Sequence, residues 1–344
     1  MLKVLAYNVW ELRYLYAQSG QQERTCRIPY EVFKLHPDVD VIVFNEVFMG
    51  GCFADDSLTI RDIIHEHGFV HYTGTVGEPV TPRKPENGGV FIASRWPIKV
   101  EKQHVYENSQ KGTADAVSGK GCMYAQIEKT VDNQNKVYHI FGTHLQAQNG
   151  TSIDQVRVLQ AGEMHAFMQD QDIPADEPVI YAGDLNADKI NNVNHAADIL
   201  MTLEANLPPI VGELDSTYDT EINDIFFEVD DYVAWLDYAL YSDIHVHPTW
   251  SALEVVRPRY SEPFPVCMAA INPRHTYPDS ELCFISKSIR DLSDHFAVLG
   301  VFDYGMEPEP TTKPVIETTS GGQRSFVTSL LTFIIFCLLV SHFL

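Results

Sequence analysis

PVIYAGDLN, residues 178–186, carries the pattern that decides how this chain folds. Val179, Ile180, Tyr181 and Ala182 form a short apolar run of strand-favouring residues, opened by a proline and closed by Gly183. Asp184 and Asn186 then put an acid and an amide just where such a strand should end. The arrangement recurs along the chain. Asn8 follows VLAY, Glu46 follows VIVFN, His144 follows HIFGT and Asp237 follows AWL, while Asp294 and His295 precede FAVLGV. One polar residue at a strand end is ordinarily a turn former. Six segments that each end an apolar run on a carboxylate, amide or imidazole predict strand ends converging on one crevice.

Between the strands, apolar residues recur at three- and four-residue spacing over 24–35, 58–67 and 153–169, which predicts helices there, the last with Thr151 or Ser152 as a cap. Helices alternating with strands, several of them hairpin-like, predict two packed sheets flanked by helices, an α/β sandwich of layers. There is no internal repeat and no linker before about Gly305, so residues 1–305 read as one catalytic domain, expected as a monomer.

Carboxylates gathered at half-buried strand ends repel one another unless a cation joins them. Asn8, Glu46 and one of the aspartates offer only oxygen, which suits Mg²⁺. The two histidines are then free for proton transfer near neutrality. This is apparatus for metal-assisted attack of water on a phosphodiester.

YNVW, NEVF, PENGGVFIASRWPI, GTHLQA, GDLNADKIN, LDYAL and SDHFAV stand in the order and near the spacing of the endonuclease, exonuclease and phosphatase superfamily. Over residues 3–304 the chain resembles, more narrowly, the neutral magnesium-dependent sphingomyelinases C of bacteria. The resemblance implies a deoxyribonuclease I-like, four-layer α/β/β/α sandwich. It implies that Glu46 is the central Mg²⁺ ligand with Asn8 beside it and that Asp294 completes the metal's surroundings. His295 would be the general base oriented by Asp237, Asp184 and Asn186 would position the water and a phosphate oxygen, and His144 would stabilise the developing charge or assist the leaving group. At the positions of the bacterial edge-metal site the chain offers Met49, Gly50, Glu86 and Asn87, which puts a second ion in doubt. The region of the bacterial membrane-docking hairpin, here EPFPVCMAAINPRHTYPDSELCFISKS, is less aromatic and is broken by prolines.

Forty-seven acidic against 24 basic residues, a net charge of −23, opposes a nucleic-acid substrate. Highly anionic ligands call for basic clusters, and Arg95, Lys99, Lys120 and Lys189 read as solvated surface charges. A zwitterionic choline phosphate asks for aromatic faces instead, for which Phe48, Trp235 and Tyr238 are the candidates. The expected partner is sphingomyelin or a related phospholipid in a membrane, and the expected reaction is release of phosphocholine from ceramide. The alternatives are a phosphoesterase for another head group, a nuclease, and a non-catalytic membrane-tethered binding module.

Residues 326–344, FVTSLLTFIIFCLLVSHFL, are apolar enough to cross a bilayer or to signal a glycolipid anchor behind a Pro/Thr/Ser-rich stalk at 306–325 with Ser320, Gly321 and Gly322. That predicts a membrane-anchored enzyme on the extracellular face, with a tail-anchored cytosolic protein as the alternative. MLKVLAYNVW lacks the features of a leader, so a leader ahead of Met1 is expected; the sequon Asn149-Gly150-Thr151 fits a luminal history. Of six cysteines, Cys337 lies in the tail and five remain. No zinc spacing occurs, and Cys267 and Cys283 are near enough in sequence to bridge, although spacing alone does not settle the pairing.

Overall fold

The computed structural model describes residues 1–305 apart from 15–16, 53–54, 132, 227–228, 271 and 273–275. The stalk and apolar tail read from the sequence lie outside the described residues. Among the described residues no helix is long and apolar enough to cross a membrane.

The strands that build the two sheets are β1 (Leu2–Glu11), β2 (Val41–Val47), β3 (Phe91–Ser94), β4 (Ile98–Val105), β5 (Gly121–Val131), β6 (Gln134–His144), β7 (Val179–Asp184), β8 (Asp237–Ser242), β9 (Trp250–Val256) and, after a hairpin, β12 (Ala297–Asp303). The hairpin is β10 (Arg259–Ala270) with β11 (Cys283–Asp291). One sheet runs Ile210–Val211, β9, β12, β1, β2, β3, His71–Tyr72, and the other Ala205–Asn206, β8, β7, β6, β5, β4.

Alternation along β1 decides the layering. Val4 and Ala6 point into a core shared with Val43, Ile92, Ala125, Ile140 and Ala182, which lies between the sheets and continues to Ala161, Met164 and Ile199 of the helices Thr151–Gln169 and Val193–Thr202. Leu5, Tyr7 and Val9 point the other way, into a second core with Ile28, Val32, Ile60 and Ile64. The result is helix, sheet, sheet, helix. The sheets approach closely where Gly142 of β6 faces β2: a Cβ there would lie 2.8 Å from Val43 Cγ1, so glycine is the residue that fits.

The helix expected over 24–35 is two helices, Gln21–Thr25 and Ile28–Leu35. Pro29 is the reason, since it lacks the N–H that a continuous helix needs and suits a helix's first turn. At 58–67 the helix is Ile60–Glu66, because Thr59 and Asp62 form a reciprocal capping box. The third begins at Thr151, so Thr151 and Ser152 lie in its first turn, Gly150 holds the cap position and no side chain caps it. Cys26 pairs with Cys52 and Cys267 with Cys283, leaving Cys122 buried and free among the described residues. The proline-broken region before SDHFAV does form a long hairpin, carrying exposed Phe284, Ile285, Leu282 and Tyr277.

Candidate active site

Strand direction collects the site. β1 and β2 run parallel, as do β6 and β7, so Asn8, Glu46, His144 and Asp184 arrive at one edge of the sandwich. β8 and β12 run antiparallel to β7 and β1, so their beginnings lie at that same edge, bringing Asp237 and His295. In register, Asp184 stands between His144 and Asp237. The backbone turns sharply here, with Glu46 at φ 60° and Asn186 at φ 49°, a conformation uncommon in residues other than glycine. Gly89 enables one of these turns: its carbonyl accepts from Val47 N–H at 3.0 Å, and a Cβ on it would lie 3.1 Å from Glu46 Cα and 2.9 Å from Phe48 Cζ.

His295 is gripped by one nitrogen. Its Nδ1 lies 2.8 Å from Asp237 Oδ2, while Nε2 faces Asp184 Oδ2 at 3.8 Å. Tyr218 meets the ring edge-on at 5.2 Å between centroids. Burial works to lower the imidazole's pKa, but Asp237, Asp294 and Asp184 together outweigh it and raise it well above the ordinary histidine value. Burial in turn pushes Asp237 up to about 6, against the pull of His295. Replacing Asp237 with Asn should therefore move the acid limb of the kcat/KM profile to lower pH, because one of the carboxylates that raise His295 is gone. The same change should lower kcat by roughly 10²- to 10⁴-fold through loss of ring orientation. A pH–rate profile that kept its limb in place would show that Asp237 does not act through His295.

His144 behaves differently. It lies 3.4 Å from Asp184 Oδ2 and 3.8 Å from Glu46 Oε1, and neither ring nitrogen has a hydrogen-bond partner. Burial, reinforced by the Lys120 ammonium, lowers its pKa to about 4. It is a neutral ring at physiological pH, able to donate one N–H to a phosphoryl oxygen but carrying no charge of its own.

The fit for a hard cation rests on Glu46. Its Oε2 is buried without a hydrogen-bond partner, and its pKa stands near 7 because of burial first and the Asp294 carboxylate second. An oxygen left unpaired among carboxylates is what a divalent ion would satisfy. Asp184, Asp237 and His295 also offer ligand atoms within 4.8 Å of one another. Asp237 Oδ2 and His295 Nδ1, however, already bind each other, which leaves Asp237 Oδ1 and Glu46 Oε2 as the buried carboxylate oxygens of the site without a hydrogen-bond partner.

Asn8 lies beside Glu46, where the resemblance puts it. Its Nδ2 donates to Glu46 Oε1 at 3.2 Å and to Asp184 Oδ2 at 3.0 Å, and its Oδ1 accepts from Trp10 N–H. It ties the two carboxylates together as a donor and presents no oxygen to them. Asp294 is buried and accepts from Ser293 Oγ at 3.2 Å. Asn186 donates its backbone N–H to Asp184 Oδ1 at 2.8 Å and its amide to Leu145 O at 3.2 Å, which braces the Asp184 carboxylate.

Two expected aromatic contacts fail. Trp235 and Tyr238 are 0% exposed, so neither can face a ligand. Tyr238 alternates with Asp237 on β8 and points into the core, its hydroxyl bonded to Ala187 O, and Trp235 lies beneath Lys189, whose ammonium is 4.4 Å from the ring centroid. Phe48 instead lines a cavity beside Glu46 and His144. Lys120 is not a surface charge: it is buried, donates to Leu145 O at 2.7 Å, pairs with Asp115 at 3.2 Å and borders the same cavity. Its place between Gly119 and Gly121 was the only local signal. Arg95 is half-buried as well, spending its guanidinium on the carbonyls of Pro37, Val39 and His67.

Residues 5–295 match the Endonuclease/Exonuclease/phosphatase family. A sphingomyelinase C of Bacillus cereus is 32% identical over 279 residues, covering 75% of this chain and 80% of the relative. The chain belongs to the endonuclease/exonuclease/phosphatase family, alongside the sphingomyelinases C. Among solved structures, a magnesium-bound variant of the beta toxin of Staphylococcus aureus superposes with a TM-score of 0.71 at 26% identity, over 88% of this chain and 99% of that one. The sphingomyelinase C of Streptomyces griseocarneus gives 0.70 at 26% identity, over 87% and 98%. The family's sandwich is thus this chain's fold.

Proposed function

We propose that the protein is a Mg²⁺-dependent phosphodiesterase that hydrolyses sphingomyelin to ceramide and phosphocholine. The observation that carries this reading is a single imidazole, His295, fixed through Nδ1 by a buried aspartate, with its other nitrogen turned toward the Asp184 carboxylate. Relatedness to sphingomyelinases C of known name supports the choice of lipid.

His295 Nε2 takes a proton from water as the oxygen attacks phosphorus, and Asp237 stabilises the imidazolium that results. The new P–O bond forms as the bond from phosphorus to the ceramide oxygen breaks, that oxygen leaving with a proton from solvent and His295 returning its own to solvent. Asp184, braced by Asn186 and Asn8, orients the water side of the reaction, while His144 offers a neutral N–H to the phosphoryl group. Glu46, with the charge of Asp184 and Asp294 nearby, would hold Mg²⁺, which supplies charge neutralisation at the phosphate.

The test is phosphocholine release from sphingomyelin vesicles with Mg²⁺ and with EDTA, run beside plasmid nicking. Release that needs Mg²⁺ is expected; a protein that nicks DNA and spares the lipid would refute the assignment. The exposed Phe284, Ile285, Leu282 and Tyr277 of the hairpin, with the apolar stretch at 326–344, favour a protein that works at a membrane surface, held there on the extracellular side by its C-terminal segment. Truncation after Gly305 is then expected to cost about tenfold or more on vesicles through lost effective concentration. Turnover of a soluble chromogenic phosphodiester should stay within about twofold, since no residue of the relay is touched. Equal losses on both substrates would remove the tethering role.

A further inference from the structure

The cavity beside Glu46 and His144 measures about 190 Å³ and is neutralised from within. Phe48, Leu12, Ala114 and Ala147 give it apolar walls. Each further carboxylate on its lining comes with a cation of the chain. Asp115 Oδ2 pairs with Lys120 at 3.2 Å and accepts from Gln146 Nε2 and Ala147 N–H at 2.9 and 2.8 Å. Glu86 is met by a two-pronged guanidinium: Arg13 Nε bonds one oxygen and Nη2 bonds the other at 3.0 Å. Asn87 N–H adds a third bond to Glu86 at 3.2 Å.

We propose that this cavity is the head-group subsite and that the Arg13–Glu86 pair makes it select a quaternary ammonium over a primary one. The inference deepens the phosphodiesterase reading above and rests on it. The volume suits a head group and is far too small for a two-chain lipid body, so the ceramide must stay outside while the amine end enters past the phosphate. A primary ammonium carries N–H donors that must be paired again once they leave water. Glu86 is poorly placed to pair them: Arg13 neutralises it and bonds both of its oxygens, and Asn87 N–H takes a further bond from one of them, so most of its acceptor capacity is already spent. A trimethylated nitrogen has no N–H to satisfy and is content with the Phe48 ring and the apolar wall. Long-range repulsion from Arg13 acts equally on both head groups, so what separates them is whether the Glu86 oxygens are free.

The experiment measures kcat/KM of the full chain, with Mg²⁺, on sphingomyelin and on ceramide phosphoethanolamine in mixed micelles. The wild type should prefer the choline form by about tenfold or more, the range within which one pocket contact discriminates. Arg13→Gln, at a side chain that is half exposed, frees Glu86 and should narrow that ratio by about tenfold, chiefly by accelerating the ethanolamine lipid. Adding Glu86→Gln to it removes the released acceptor charge and should restore the preference. Phosphocholine and phosphoethanolamine as product inhibitors should follow the same order. A merely structural role for Arg13 would slow both lipids equally and lower Tm; that result, or a ratio that does not move, overturns the proposal while leaving the phosphodiesterase reading in place. A wild type inactive on both lipids overturns that reading and this inference with it.

Discussion

Alanine at position 295 is expected to lower kcat by roughly a thousandfold, with Mg²⁺ binding little changed. The imidazole is held by Asp237 at Nδ1 and by the edge-on Tyr218 ring, and its backbone is pinned separately, the main-chain N–H of residue 295 donating to Ser293 Oγ at 3.3 Å. No other described base is so placed. His144, the second imidazole of the site, is pulled down to about 4 and lacks a carboxylate bonded to either nitrogen, so it cannot take over. The raised pKa of His295 also gives a direction. A ring that holds its proton to higher pH is a free base only above that pH, so the acid limb of kcat/KM should lie above the ordinary histidine range. Saturating Mg²⁺, which offsets the carboxylates responsible, should move it down. Circular dichroism must show an intact fold, since losing the ring strands Asp237, whose Oδ1 is already without a partner. Near-full activity in the alanine variant, across pH, would mean that another group activates the water.

The parts of this site visible in the sequence were those that end strands. Asn8, Glu46, His144, Asp184 and Asp237 each interrupt an apolar run, and an apolar run is legible because its alternation reflects which face is buried. Sheets flanked by helices followed from the alternation of strands with helices, and the four-layer form from the resemblance to the family. Less legible was anything whose position depends on the partner strand. Trp235 and Tyr238 sit within three residues of Asp237, and nothing in the sequence distinguishes the side of β8 that meets the core from the side that meets a ligand. Lys120 was misread for the opposite reason: a lysine beside glycines ordinarily projects into water, and only the packing of Asp115 and Leu145 around it makes an inward ammonium sustainable. Asn8 was correctly located, yet the direction of its amide is set by the turn at Trp10, which no residue pattern announces. The hairpin between β10 and β11 was underrated because prolines argue against strands, although Pro263 and Pro265 are tolerated in a two-stranded ribbon that has open edges.

Glutamine at position 46 is expected to separate activity from stability in opposite directions. As a phosphodiesterase the variant should lose roughly 10²-fold or more in kcat/KM at any Mg²⁺ concentration, because the buried, unpartnered Oε of residue 46 no longer carries charge for the ion. As a folded protein without metal it should gain. A carboxyl whose pKa is about 7 in the fold, against 4.5 ordinarily, is uncharged in the folded state at low pH and destabilises the fold as pH rises between those two values. Above pH 7 the full cost, on the order of 3 kcal/mol, is present, and an amide does not incur it. In EDTA at pH 8 the variant's Tm should therefore exceed that of the wild type by roughly 3 to 6 °C, and the gap should close by pH 5. Added Mg²⁺ should raise the wild-type Tm, through binding to the native state alone, and leave the variant's nearly unchanged. The two curves then cross as Mg²⁺ is titrated. Were the variant's melting temperature to respond to Mg²⁺ as strongly as the wild type's, the ion would be held elsewhere, and the unpaired oxygen of Glu46 would need a different explanation.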